Sequence, residues 1–119
     1  MLVPCSSYKR MYTRAVKRFT ALGMDKKAAG FLVRKLIRCA RKYNTDKKDF
    51  ETVMIALGNA FGRGWVEDVE LKTIADRMPA LVHVLKRPYK NSWRNLLRSA
   101  EKKKVKAAAL VQSILVGIE

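Results

Sequence analysis

Apolar residues return at helical spacing along most of the chain. Tyr8, Met11, Tyr12, Ala15, Val16, Phe19 and Leu22 cover an arc of roughly 140° at 100° per residue, which predicts a helix over 7–22. Ser6 or Ser7 is placed to cap its free N–H groups, and Gly23 to supply the left-handed turn that ends it. A second stripe, Ala29, Leu32, Val33, Leu36, Ile37, Ala40 and Tyr43, predicts a helix over 26–43 capped by Asp25. The intervening Gly23-Met24 is so short that the two helices are expected to form an antiparallel hairpin.

The third helix is expected to begin after Asn44-Thr45-Asp46 and to end near Gly62-Arg63-Gly64. Its stripe, Phe50, Val53, Met54, Leu57 and Phe61, is widened by Ile55, Ala56 and Ala60, so this helix reads as more buried than the first two. A fourth is predicted over 66–78, with Glu67, Asp68 and Glu70 in a first turn that favours negative charge. Pro79 breaks the pattern and suits the first position of a short apolar helix over 80–86, which Pro88 stops. Asn91 or Ser92 then caps a helix carrying Trp93, Leu96, Leu97 and Ala100. Ala107, Leu110, Val111, Ile114, Leu115 and Ile118 form the last stripe. The two final stripes fit either one continuous helix over 92–116 or two helices broken at Lys102-Lys103-Lys104. No segment sustains the period-2 alternation of a strand. The expectation is an all-α protein, one compact bundle of five to seven helices that begins with an antiparallel hairpin.

Composition narrows the class. The 119 residues suit one domain, and 49% hydrophobic content suffices for a packed core. Three prolines, six glycines and no visible repeat or linker leave no low-complexity segment, so the chain is read as a single basic helical domain. Cys5 and Cys39 form at most one bridge, and the uncharged opening Met1-Leu2-Val3-Pro4 does not read as a secretory signal. A reduced intracellular protein with both thiols packed as small apolar groups is expected. The apolar run 107–118, interrupted by Gln112 and Ser113, is too short to span a membrane and reads as a core helix.

Charge changes the picture most. With 26 Lys and Arg against 10 Asp and Glu, the formal charge is +16. Residues 1–48 hold 14 basic and 2 acidic side chains, residues 49–85 hold 3 and 6, and residues 86–119 hold 9 and 2. A basic head and a basic tail therefore flank a mildly acidic waist. Lys9, Arg10, Arg14, Lys17 and Arg18 occupy the arc opposite the first stripe, and Lys27, Arg34, Lys35, Arg38, Arg41 and Lys42 the arc opposite the second. Cations that merely solvate a helix are usually interleaved with acids at i, i+4. Here the first helix has no acid, and the second has none after Asp25, so pairs such as Arg10/Arg14 and Arg34/Arg38 repel. A polyanion reverses the sign of that cost.

The tail segment Lys86-Arg87-Pro88-Tyr89-Lys90-Asn91-Ser92-Trp93-Arg94 interleaves aromatics with cations, and Arg98 follows one turn on. Tyr89, on a turn, is a candidate for stacking on an exposed base, whereas Trp93 matches the apolar stripe and is read as core. Phe31 is the better stacking or partner-contact candidate, because it falls in the middle of the basic arc of its helix.

Other chemistry is weakly represented. Cys5, Cys39 and His83 are too few and too far apart for a zinc site, so no metal or cofactor is expected. His83, within Leu81-Val82-His83-Val84-Leu85, lacks a recognisable nucleophile and orienting carboxylate and is read as a partly buried side chain bonded to backbone. Gly62-Arg63-Gly64 lacks the ending of a phosphate-binding loop, and nearby acids oppose a phosphate, so it is read as a helix terminator. Glu67, Asp68, Glu70 and Asp76 suit helix electrostatics and a protein contact better than a magnesium nuclease site.

The expected function is a non-catalytic nucleic-acid-binding protein, RNA ahead of DNA, that contacts the phosphate backbone through basic helix faces. No helix-turn-helix, zinc-finger or RNA-recognition signature is legible, and Asn and Gln are scarce on the basic faces, which favours backbone contact over base readout. Such a compact basic chain suits a small subunit of a nucleoprotein complex and viral or phage products alike. The alternatives are a module or inhibitor that binds an acidic protein surface or nucleic-acid channel, then a membrane-surface protein, then an enzyme.

Overall fold

The computed structural model describes residues 5–118, with side chains from Tyr8 onward. The opening segment, the expected Ser6 or Ser7 cap and the Cys5 thiol lie outside the described residues and side chains. Among the described residues the chain forms seven α-helices: α1 Cys5–Ala21, α2 Lys26–Lys42, α3 Lys47–Arg63, α4 Asp68–Arg77, α5 Ala80–Leu85, α6 Trp93–Glu101 and α7 Ala107–Gly117. One 3-10 turn, Arg87–Tyr89, joins α5 to the segment before α6.

Local chemistry sets most of these limits. The Asp25 carboxylate accepts the Lys27 and Ala28 amides at the start of α2, and Asp46 accepts Asp49 N–H at the start of α3. Ser92 Oγ does the same for α6 through Asn95 N–H at 3.2 Å. At the start of α4 the Glu70 carboxylate accepts the Glu67 N–H at 2.9 Å, and the Glu70 N–H donates to Glu67 carbonyl at 3.1 Å. Gly23, at φ 103°, turns the chain after α1, and Met24 N–H closes the end on Phe19 carbonyl at 3.0 Å.

Several boundaries depart from expectation. The first helix already includes Cys5, two residues before the predicted start. The fourth begins at Asp68 rather than Val66: Glu67 is its cap, with extended φ −92° and ψ 154°, and the Val66 amide bonds to Val105 carbonyl at 2.8 Å. Pro79 occupies the cap of α5 instead of its first turn, and Pro88 sits inside the 3-10 turn. The final stripes are two helices. Lys103 takes a left-handed φ of 56°, and Ala107 N–H bonds to Gly64 carbonyl at 3.1 Å, so the α6–α7 loop is clamped to the α3–α4 loop through a bridge between Trp65 and Lys106. Continuing the helix would set Arg98, Lys102 and Lys106 at repelling i, i+4 spacing and take Val105, which is 1% exposed, out of this buried seat.

The buried side chains form one contiguous apolar cluster, fed by every helix. In it α1 packs on α2 and α3, α2 on α7, and α3 on α4 and α7, while α5 lies on α7 and α4 and α6 lies on α4. The α1–α2 pair is an antiparallel hairpin: Arg34 lies over the ring of Tyr12 and Arg41 over that of Tyr8, so ascending positions in one helix meet descending positions in the other. No helix among the described residues is long and apolar enough to cross a membrane.

Candidate nucleic-acid interface

The hairpin sorts the cations by their place on each helix. On α2, Lys27, Phe31, Arg34, Lys35, Arg38, Arg41 and Lys42 fall within an arc of about 120°. That arc lies opposite Ala29, Val33, Leu36 and Ala40, all buried. Every member of it is exposed except Lys35, which is half-buried and donates to the Ile118 carbonyl on the α7 side. The helix Lys26–Lys42 contains no acidic residue.

The cations of α1 are less uniform than the sequence implied. Arg10 and Lys17 are exposed and point away from both neighbours, and Lys9 lines a shallow groove at the α2 seam with Tyr12, Thr13 and Arg41. Arg14 and Arg18 turn toward α3 instead. The Arg14 guanidinium lies 3.8 Å from the Glu51 carboxylate, and the stem of Arg18 lies against Gly58, where an added Cβ would sit 3.1 Å from its Cδ. These two lie at the edge of the arc nearest α3, so packing draws their stems over that helix.

The tail divides. Arg87 joins Arg38, Lys42 and His83 in lining a groove between α2, α5 and the end of α7. Lys86 is half-buried, and Lys90 is exposed in a left-handed turn at φ 56°. Tyr89 does not stand free as expected of a stacking platform: its ring is half-buried against the core, and desolvation raises its phenol above the ordinary range. Trp93 packs against the core as expected. Arg94 and Arg98 are exposed on α6, whose neighbours are α4 and the 3-10 turn, whereas those of α2 are α1 and α7. The structure therefore brings Arg87 to the α2 cations and leaves Arg94 and Arg98 in different surroundings.

His83 is exposed, not partly buried as its apolar neighbours in sequence imply. Leu81, Val84 and Leu85 take the inward positions of α5, and position 83 is what that spacing turns to water. Tyr12 lies on the α2 side of the first stripe and Tyr8 at its middle, so their places beside Arg34 and Arg41 come from the hairpin packing and not from periodicity.

The middle segment engages its own acids. Arg63 pairs with both Glu67 and Glu70, Lys72 with Asp68 at 3.4 Å, and Arg77 with Asp49 at 2.9 Å. Gly62-Arg63-Gly64 is a helix terminator: Gly64, at φ 107°, donates its amide to Ala60 carbonyl. Among the described residues no group of three His, Cys, Asp or Glu is placed to hold a metal.

Comparison with protein-family models, with curated proteins and with solved structures finds no match to this chain.

Cys39 lines the floor of the groove beneath Arg38 and Lys42. Burial raises its thiol above the ordinary range, and the neighbouring Lys42 charge opposes this in part. A thiol whose folded pKa is raised holds its proton more tightly folded than unfolded. It therefore stabilises the fold below the ordinary thiol range and loses that contribution as pH rises through its folded value. Urea unfolding of wild type and Cys39→Ala, followed from about pH 7 to about pH 10, should show the stability difference shifting toward the variant as pH rises. Native Cys39 should also react with a thiol reagent far more slowly than the same thiol in urea.

Proposed function

We propose that this protein is a non-catalytic nucleic-acid-binding protein that seats a phosphate backbone on the outer arc of α2, with Lys9 and Arg41 extending the surface along the α1 seam and Arg87 along the α5 side. One observation carries the reading. The ion pairs among the described residues serve the cations of the middle segment, and of the α1 and α2 cations only Arg14 joins one, at 3.8 Å and 74% exposure. An exposed pair of that kind contributes little. The arc thus keeps its positive charge uncompensated while Arg34/Arg38 and Arg38/Lys42 repel at i, i+4. Phosphates replace that repulsion with attraction and release their counterions.

Two details support backbone contact in particular. Arg34 and Arg41 rest on Tyr12 and Tyr8, with guanidinium carbons 5.8 and 5.6 Å from the ring centres. A guanidinium attracted to a ring face loses some side-chain freedom and still has N–H donors for an oxyanion. The arc also presents Lys and Arg without Asn or Gln, the usual readers of base edges.

Titration of a labelled oligonucleotide across a salt series tests this. Six cations on the α2 arc, each neutralising one phosphate, give a slope of about −5 in log K against log salt, and a loss of about 10³-fold between about 50 and 200 mM. Absence of binding to RNA or DNA at low salt, or binding indifferent to salt, overturns the proposal. Saturable one-to-one binding to an acidic protein with no affinity for either nucleic acid overturns it in favour of a protein-contact role.

A further inference from the structure

We infer that the α2 arc takes single-stranded nucleic acid, with an unstacked base lying on the ring of Phe31 and the adjoining phosphates held by Lys27, Arg34 and Lys35. This rests on the function proposed above and narrows its ligand.

Phe31 is 57% exposed, while Leu32 and Val33 beside it in sequence are wholly buried. The core has therefore no use for this ring. Around it, Lys27 stands one turn before, Arg34 and Lys35 one turn after, and Arg38 two turns after, so the aromatic is ringed by cations on its own helix surface. Water gains nothing from that arrangement: the apolar ring stays wet, and the cations around it repel. Single-strand binding surfaces combine these same two elements, a positive track for the backbone and an aromatic face on which any base stacks. A duplex offers a helix only backbone and base edges, because its base faces are covered by their neighbours. Phe31 would then meet phosphate and sugar, where an aromatic face contributes little. Arg34, propped on Tyr12, lies on the α1 side of Phe31, and Lys35, anchored on Ile118 carbonyl, on the α7 side. The backbone of a strand stacked on Phe31 thus has a cation on either flank.

The test uses the full chain with two probes, a single strand of about 20 uridines and a blunt RNA duplex of equal length, at low and moderate salt. Wild type should prefer the single strand. Phe31→Ala should weaken single-strand binding by roughly five- to hundredfold while leaving duplex binding within about twofold and the salt slope unchanged. Phe31→Trp should retain single-strand affinity, and Phe31→Leu, apolar without a π face, should behave like the alanine variant. Circular dichroism of all three should match wild type, since the ring is outside the core. Wild-type preference for the duplex, or single-strand binding by Phe31→Ala or Phe31→Leu at wild-type strength, overturns the inference and leaves the phosphate surface standing. Failure of wild type to bind either probe removes the parent proposal and this one together.

Discussion

Replacing Arg34, Arg38 and Arg41 together by glutamate is expected to lower nucleic-acid affinity by about 10³-fold or more at about 50 mM salt. Three lost phosphate contacts remove about 2.7 from the salt slope, and at 50 mM, 1.3 decades below 1 M, that term alone amounts to about 10³. The new carboxylates add repulsion to the loss. All three positions are exposed, so the helix should persist in circular dichroism, with a melting temperature within a few degrees of wild type. The slope is the decisive readout, because a folding defect would lower the active fraction without flattening the salt dependence. Arg94→Glu with Arg98→Glu, on α6, provides the contrast and should cost much less. A triple variant that binds like wild type would mean that α2 is not the contact surface. Changing Arg34 and Arg41 to lysine should fall in between: charge is kept, but the flat guanidinium that rests on tyrosine is lost.

The second large effect is on stability. Phe19→Ala should destabilise the fold by about 3–5 kcal/mol, the usual range for removing a fully buried phenylalanine. Phe19 has 0% exposure and faces the core from the last turns of α1. Its carbonyl also receives Met24 N–H in the turn that reverses the chain, so the cavity opens where the hairpin is closed. Against a total of about 5–15 kcal/mol for a domain of ordinary stability, this is a large fraction. Denaturant unfolding should show a lower midpoint with little change in slope. Below its melting temperature the variant should bind nucleic acid as wild type does, because none of the arc cations is altered. Loss of binding in fully folded Phe19→Ala protein would indicate that the surface depends on core packing in a way the exposed arc does not explain.

The two experiments probe the two halves of the amphipathic pattern. One side of α2 is paid in buried apolar area, and the other is a charged surface whose repulsion the core must outweigh. A few tenths of a kcal/mol for each like-charge pair at i, i+4 is small beside about 1.5–3 kcal/mol for each buried Leu or Val. That difference in magnitude is why a helix can carry six cations and no acid on its outer arc and still fold.

Much of this was legible along the chain because a helix repeats every 3.6 residues and its caps are local. The α2 stripe from Ala29 to Ala40, the Asp25 cap, an α6 cap at Asn91 or Ser92 and the place of Phe31 on the outer arc follow from positions a few residues apart, whereas Tyr43, the last of the expected stripe, caps the helix end and is 57% exposed. The break between α6 and α7 was not legible, since it depends on Val105 and Ala107 bonding to the distant loop at 64–66. Nor was the place of Tyr89, whose turn position suggested a free ring but whose neighbours bury half of it.

Helical periodicity and composition alone fix an all-helical fold, a strongly positive charge, and the gathering of the α2 cations on one side of their helix. Tertiary structure decided which cations stay together. It leaned Arg14 and Arg18 onto α3, propped Arg34 and Arg41 on tyrosines of the other hairpin arm, and brought Arg87 from the far end of the chain to Arg38 and Lys42. The reason is physical: periodicity fixes the direction of a side chain relative to its own helix axis, whereas its neighbours depend on how the helices cross, and that is settled only when the apolar stripes interlock in a common core.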